Sequence, residues 1–186
     1  LRWTAHDAAQ AGEDRATIAG FTRQLTDGFE TIDLLYSLGR SMNDLSRPDQ
    51  FVQMAIDRLH ASMAFGWIAA WFGIDRRMSA VAGDRLYLAG ATNLPWDDLR
   101  RTLEDSRRRL SGAPRSVILS EIAGQRLPND GQVLVQPVLR AGRLIGVLMA
   151  GDKGGDDPQV SSYDIHLLEA TGGYVGAFLD NAVLYS

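Results

Sequence analysis

The chain of 186 residues contains no cysteine. That excludes disulfides, cysteine-ligated zinc, a thiol nucleophile and any thioether-attached chromophore, and it suits a reducing compartment, so the expected location is the cytoplasm. Long hydrophobic runs are missing too. The apolar stretch Met63 to Ile74 falls well short of the ~20 apolar residues that a membrane span requires. With a formal net charge of −4 the chain as a whole attracts neither nucleic acid nor anionic lipid, and no local basic patch makes up for this. Equally absent are a G-x-S-x-G elbow, a Walker A loop, a dinucleotide fingerprint and an H-E-x-x-H helix. His6, His60 and His166 fall in three different elements and read as helix-surface or interhelix imidazoles, so neither a metal nor another cofactor is expected. The chain opens Leu-Arg-Trp-Thr-Ala-His without Met or an apolar signal core and ends at Ser186 in an uncompleted helical pattern. The expectation is an excised piece of a longer protein.

What is present is clearest between Gln132 and Tyr185. The runs Gln132–Arg140 and Arg143–Gly151 are rich in β-branched and aliphatic residues and are separated by Ala141-Gly142. They read as a hairpin, because Gly142 can take the positive φ that a tight turn demands. Neither run alternates cleanly between apolar and polar, so both faces of the sheet should be covered. Pro137 has no N–H for the ladder and belongs at a bulge or on a side that needs no donor, while Gly146 marks a close backbone approach. Ser161 or Ser162 can cap a helix that Asp164 favours at its first turn. Along that helix Ile165, Leu168, Val175, Phe178, Leu179 and Ala182 form one apolar stripe, and Tyr174, Ala177, Asn181 and Leu184 a second.

A Pro-containing strand, an Ile-Gly-Val-Leu strand, a short acidic loop and a helix ending Asn-Ala-Val-Leu-Tyr, in that order, resemble the carboxy-terminal half of a GAF domain. The likeness extends from Thr31 to Tyr185. It implies an α+β fold with a mixed or antiparallel sheet of roughly six strands, long N- and C-terminal helices packed on one face, and a small-ligand pocket under helices and loops on the other. Cyclic-nucleotide-binding members carry an Asn-Lys pair after the Ile-Gly-Val strand, then Phe, three residues, Asp and Glu. Here those positions read Asp152-Lys153, Val160, Asp164 and Ile165, so Lys153 and Asp164 match a lid-locking ion pair while the Asn, Phe and Glu are replaced. Bilin attachment and the chemistry of related methionine-sulfoxide reductases require cysteine, which this chain lacks.

Upstream, residues 1–13 read as a disordered lead-in, 14–45 as a signalling and dimerisation helix and 31–186 as the GAF-like domain. In the first helix Ile18, Phe21, Leu25, Ile32, Leu35 and Met42 fall near heptad spacing, interrupted by Gly28 and Gly39. Ser46-Arg-Pro48 opens a second helix with Ser46 as its cap and a face of Phe51, Val52, Ala55, Ile56 and Leu59. Ala64–Phe72 reads as a central strand, Ser79–Tyr87 as its antiparallel partner, and Asn93-Leu-Pro-Trp96 as the start of a helix running to about Arg109. On the outer face of that last helix the arginines form i,i+4 pairs, Asp97 with Arg101, Glu104 with Arg108 and Asp105 with Arg109, and so read as a solvated surface. Ser116–Ser120 is a short strand, Glu121–Gly131 a loop or single helical turn, and the glycine-rich Gly151–Asp157 a solvated acidic loop.

The expected function is a non-enzymatic regulatory or sensor domain of a larger signal-transduction protein, bacterial in style. It would form a homodimer through its terminal helices, Gly28, Ile32, Gly39, Tyr174, Ala177, Asn181 and Leu184 among the contacts, and relay a signal to an output domain. The glycines at 28 and 39, and the Gly172–Gly176 step, each cost helix stability that close packing would offset. A small-molecule pocket, if present, is expected between the sheet and residues 96–131, lined by Trp67, Trp71, Trp96, Leu99, Leu103 and Glu121. The alternatives are a ligand-free dimerisation module, a cyclic-nucleotide domain with a degenerate motif, and an enzyme of unknown type, for which no ionisable pair can be named.

Overall fold

The computed structural model describes residues 47–106, 110, 115–127, 131–155 and 158–184. The lead-in and the first predicted helix, with Gly28, Ile32 and Gly39, lie outside them, as do Arg108 and Arg109. Helix α1 spans Pro48–Ser62 and strand β1 Phe65–Trp71. The helix starts on Arg47 with no side-chain cap bond, not on Ser46, and Pro48 stands at its first position, where a missing N–H costs nothing. Phe51, Val52, Ala55, Ile56 and Leu59 are all fully buried, as their spacing predicts.

The predicted strand Ser79–Tyr87 is instead helix α2, Arg76–Ala82, followed by β2, Leu86–Gly90. Local chemistry decides this. The Asp75 carboxylate accepts hydrogen bonds from the N–H groups of Arg77 and Met78, satisfying orphan donors of the first turn, and Gly83 ends the helix at a φ of 82°. Tyr87 then faces inward and its hydroxyl donates to the Ala82 carbonyl, which fastens the end of α2 to β2.

Helix α3 spans Trp96–Asp105, shorter than predicted, and β3 spans Val117–Leu119. In α3 Arg101 pairs with Asp98 at i,i+3 rather than with Asp97, and Arg100 pairs with Glu104 at i,i+4. The predicted loop after β3 contains a small ribbon, β4 (Glu121–Ile122) against β5 (Gln125–Arg126). Its turn, Ala123-Gly124, has φ values of 52° and 75°, and the turn Ala141-Gly142 between β6 (Val133–Arg140) and β7 (Arg143–Lys153) has 49° and 74°. Both are two-residue connections with positive φ at both central residues, the arrangement that matches strand twist. Helix α4, Ser162–Leu184, closes the described chain.

The main sheet has five antiparallel strands in the order β2-β1-β7-β6-β3, and β4–β5 stands apart. The architecture is α+β. Helices α1 and α4 lie on one face and on each other, with Phe51 stacked on Phe178 at 4.0 Å. On the other face α3 and the ribbon cover Trp67, Trp71, Val133, Val135, Val147 and Met149. Strands β6 and β7 are therefore buried almost end to end, which is why their sequences do not alternate. Pro137 lies beyond the three residues of β6 that pair with β3, just before a bulge between Val138 and Leu139, so its missing N–H falls where the outer ladder has ended.

Gly146 sits where β7 passes Phe72. A Cβ at this position would run into the Phe72 ring and stand 2.9 Å from the Trp71 carbonyl oxygen. Gly146→Ala should destabilise the domain by about 1–3 kcal/mol, the range for forcing extra atoms into a packed core. A urea midpoint equal to that of the parent protein would contradict this packing.

Candidate functional site

The structure brings Trp67, Trp71, Leu99 and Leu103 into one apolar cluster with Leu110, Ile122, Leu127, Val133 and Val135, and Trp96 packs against it. Trp96 meets Trp71 edge to face at 5.7 Å. The gap bounded by Leu103, Leu110, Val117, Leu119 and Val135 has a volume of ≈ 0 Å³. These side chains fill the space expected for a ligand, because α3 carries Leu99 and Leu103 directly down onto the indoles. Glu121 is not part of this cluster. It is exposed on β4 and borders an open depression with Arg101, Thr102 and Asp105. Trp71 donates its Nε1–H to Asp84 at 3.1 Å, and the Arg100 guanidinium lies 5.4 Å over its ring. The hydrogen bond to Glu104 pushes Arg100 further above its already high range.

A real cleft of ≈ 240 Å³ opens at the end of the sheet where β7 leaves it, lined by Asn93, Leu94, Leu127, Gln132, Val133 and Asp152. Sequence reasoning missed it, since its walls come from three separate connections and from the last residues of β7, which extends two residues beyond the predicted Gly151. Asp152 holds a φ of 56° and is exposed, with no hydrogen-bond or ion-pair partner among the described residues. One strand away, Trp67 is fully buried, and its Nε1–H has no acceptor among the described residues.

Beside the cleft, Lys153 and Asp164 form a buried ion pair, Nζ to Oδ2 2.6 Å, with side chains 12% and 6% exposed. This pair closes the loop between β7 and α4. Lys153 also donates to the Gln159 carbonyl at 2.6 Å, and its ammonium lies 5.9 Å from the Phe65 ring centre. The Asp164 carboxylate accepts from Ser161 N–H and Oγ at 2.7 Å each, while Asp164 N–H donates back to Ser161 Oγ at 3.2 Å. Ser161 and Asp164 thus form a reciprocal cap in which the shorter Asp stands where Glu or Gln is usual. The pair is far less exposed than the sequence alone suggests.

On α4, Tyr174, Ala177, Asn181 and Leu184 share the face turned away from the sheet. Tyr174 is 36% and Leu184 76% exposed, Asn181 is exposed and Ala177 half-buried. Gly172 and Gly176 are not on that face. They pack against β6, where a Cβ on Gly176 would stand 2.9 Å from Val138 and one on Gly172 3.4 Å from it, so the domain's own sheet accounts for these glycines without a partner helix. Gly173, by contrast, faces open space.

No protein-family model matches the sequence, and no curated protein matches it. Solved structures do resemble the fold. The GAF domain of a protein assigned as a sensor histidine kinase from Pseudomonas syringae pv. tomato is 19% identical, with a TM-score of 0.57 over 88% of this chain and 94% of that one. The GAF domain of an Acinetobacter phosphoenolpyruvate-protein phosphotransferase is 15% identical, with a TM-score of 0.55 over 83% and 95%. Free methionine-R-sulfoxide reductase from Neisseria meningitidis, in complex with its substrate, is 14% identical, with a TM-score of 0.55 over 84% and 92%. The fold of this chain is that of a GAF domain.

The buried pair makes a definite demand on stability. Lys153→Met leaves the Asp164 carboxylate buried with its Ser161 bonds but without its cation, and should cost about 2–4 kcal/mol. Lys153→Met combined with Asp164→Leu should recover part of that loss, since no unpaired charge remains. Chemical denaturation of the two variants checks this, and a single variant as stable as the parent would mean the pair carries no net weight.

Proposed function

We propose that this chain is a regulatory sensor domain of a larger signalling protein, which dimerises through its terminal helices and passes the state of a small-molecule site to an output domain beyond it. The observation that carries this reading is the two-sided use of α4. One side is committed to the sheet through Leu168, Val175 and Leu179, while the other presents Tyr174, Ala177 and Leu184 with the spacing of a helix-pairing seam. The sheet and α1 leave Tyr174 and Leu184 exposed among the described residues, so that second side is open to a further surface. We propose that the heptad-like residues 14–45, which lie outside the described residues, and their symmetry mates supply one, as a four-helix bundle about a two-fold axis.

Two solved relatives of the fold are named for a sensor histidine kinase and a phosphotransferase, which fits a regulatory role in a multidomain protein. The reading is of a non-catalytic domain, since the clusters described above hold no coupled nucleophile and base. A second reading, a ligand-free dimerisation module, is favoured by the filled space around Trp67, Trp71, Leu99 and Leu103. A native mass spectrum of freshly purified protein separates the two, since it reports bound ligand and subunit count together.

The dimer has its own test. Sedimentation equilibrium at micromolar concentration should give a dimer for the parent protein, and Ala177→Glu should weaken it by about tenfold or more, because a carboxylate is then buried unpaired in the seam. A monomeric parent, or a variant that associates equally well, removes α4 from the interface.

A further inference from the structure

Four arginines meet at the end of the domain where the β6–β7 hairpin turns and α4 runs out. Asp75 organises them. Its Oδ1 accepts from the N–H groups of Arg77 and Met78 at 2.9 and 3.2 Å, and its Oδ2 meets Arg143 Nε at 3.1 Å. The Asp75 side chain is only 11% exposed, so the start of α2 is fastened to the first residue of β7 by a sheltered carboxylate. Across the hairpin Arg143 is the register partner of Arg140, and Arg140 reaches Asp180 of α4 through Nε and Nη2 at 3.3 Å each. The sequence hides this cluster, because Arg76-Arg77 and the hairpin lie far apart in the chain.

We infer that this end of the domain is a docking surface for a short acidic segment of a partner protein. The inference goes beyond the sensor reading and depends on neither the dimer nor a small-molecule site.

Charge is its first support. Arg76, Arg77, Arg140 and Arg143 stand against Asp75 and Asp180, four cations to two carboxylates, on a chain whose formal net charge is −4. Arg76 and Arg77 are exposed and have no ion-pair partner among the described residues. The second support is that the fold has no use for these two charges. They open α2, whose first turn holds no acidic residue, and a cation there faces the positive end of the helix dipole and costs stability. The amides of that turn are not the attraction, since Asp75 already accepts those of Arg77 and Met78.

Unspent donors are the third. A guanidinium carries five N–H groups in a planar fork that matches a carboxylate. Arg143 meets Asp75 through Nε and is 54% exposed, which leaves its outer Nη groups turned to a second acceptor. Arg76 and Arg77 keep their whole forks, so carboxylates arriving from outside find charge-assisted hydrogen bonds at several points of one surface.

The carboxylates within the cluster select among anionic partners. Asp180 is 41% exposed and interrupts the basic surface beside Arg140. A nucleic-acid backbone or an anionic bilayer presents its charge continuously and would meet Asp180 as well as the arginines. A peptide can set its acidic side chains on the arginines and an uncharged residue opposite Asp180.

The test is a fluorescence-anisotropy titration of the whole chain with labelled hexaglutamate. Labelled hexalysine, an oligothymidylate and vesicles of equal parts phosphatidylserine and phosphatidylcholine serve as comparisons. At about 0.15 M salt hexaglutamate should bind with a Kd of about 100 μM or tighter, and more weakly as salt is raised. Amide chemical shifts of the parent protein should move at residues 75–77 and 140–143. Replacing both exposed arginines, Arg76→Ser with Arg77→Ser, should weaken binding about tenfold or more, whereas Arg101→Ser, on an exposed arginine of α3, leaves it unchanged. The assignment is overturned by no hexaglutamate binding at millimolar concentration, by tighter binding of the oligonucleotide, the vesicles or hexalysine, or by shifts confined to another part of the molecule. A double variant that binds like the parent, or an equal loss in Arg101→Ser, overturns it as well.

Discussion

Strands β6 and β7 are apolar on both sides along nearly their whole length, and two buried faces need two covers. One face receives α1 and α4, which fixes the position of the closing helix. The other receives α3 and the β4–β5 ribbon, which press Leu99, Leu103 and Ile122 onto the indoles of Trp67 and Trp71. At ~25 cal/mol per Å² of apolar surface removed from water, such large side chains dominate the stability of each layer, so the layers form wherever their apolar faces allow. The consequence for the site is direct: the interior between sheet and α3 is packed with large side chains, and open clefts lie at its margins, one beside Asn93, Gln132 and Asp152 and one beside Trp71, Gly73, Ile74 and Glu104.

Glycine has three different uses here. Gly142 and Gly124 serve turns with positive φ, Gly146 and Gly151 let aromatic rings lie against the backbone, and Gly172 and Gly176 let α4 settle onto β6. Gly146, Gly172 and Gly176 are legible in sequence as a demand for close approach, yet none says what approaches. The small-xxx-small step in α4 suggests a second helix as easily as the sheet that it meets. Distinguishing the two requires knowing which stripe of α4 faces inward, and with 3.6 residues per turn a glycine three or four positions away from a buried Leu168 or Leu179 shares its face.

Elements with strong local chemistry were readable in advance: the hairpin around Ala141-Gly142, the apolar face of α1 and the Ser161 cap of α4 all formed as their residues dictate. The Arg76–Ala82 helix was misread as a strand because its seven residues are too few to show helical periodicity. The decisive signal was its punctuation, Asp75 before and Gly83 after. The β4–β5 ribbon was hidden for a similar reason, being two residues long on each side, although Ala123-Gly124 repeats the turn chemistry of Ala141-Gly142. The cleft was illegible for a stronger reason. Asn93, Gln132 and Asp152 meet only because β2, β6 and β7 end at the same side of the sheet, and no sequence window contains all three.

That side of the sheet also joins the two halves of the proposed sensor. Asp152 borders the cleft and Lys153, the next residue, holds the start of α4 through Asp164. Asp152 holds its backbone at a left-handed φ of 56°, and the next residue carries the ammonium of the pair. Motion there is opposed by the hydrogen bond from Gly154 N–H to the Ala64 carbonyl at 2.8 Å, which pins the strand end beyond Lys153. Coupling between distant sites requires an element with two discrete arrangements that both sites bias. In this fold the element with the right connections is the β7–α4 junction. Its buried pair resists gradual stretching, because separating Lys153 from Asp164 leaves two desolvated charges unmet. The pair therefore fixes the start of α4 to the end of β7, and the closing helix takes its position from the last residues of the strand.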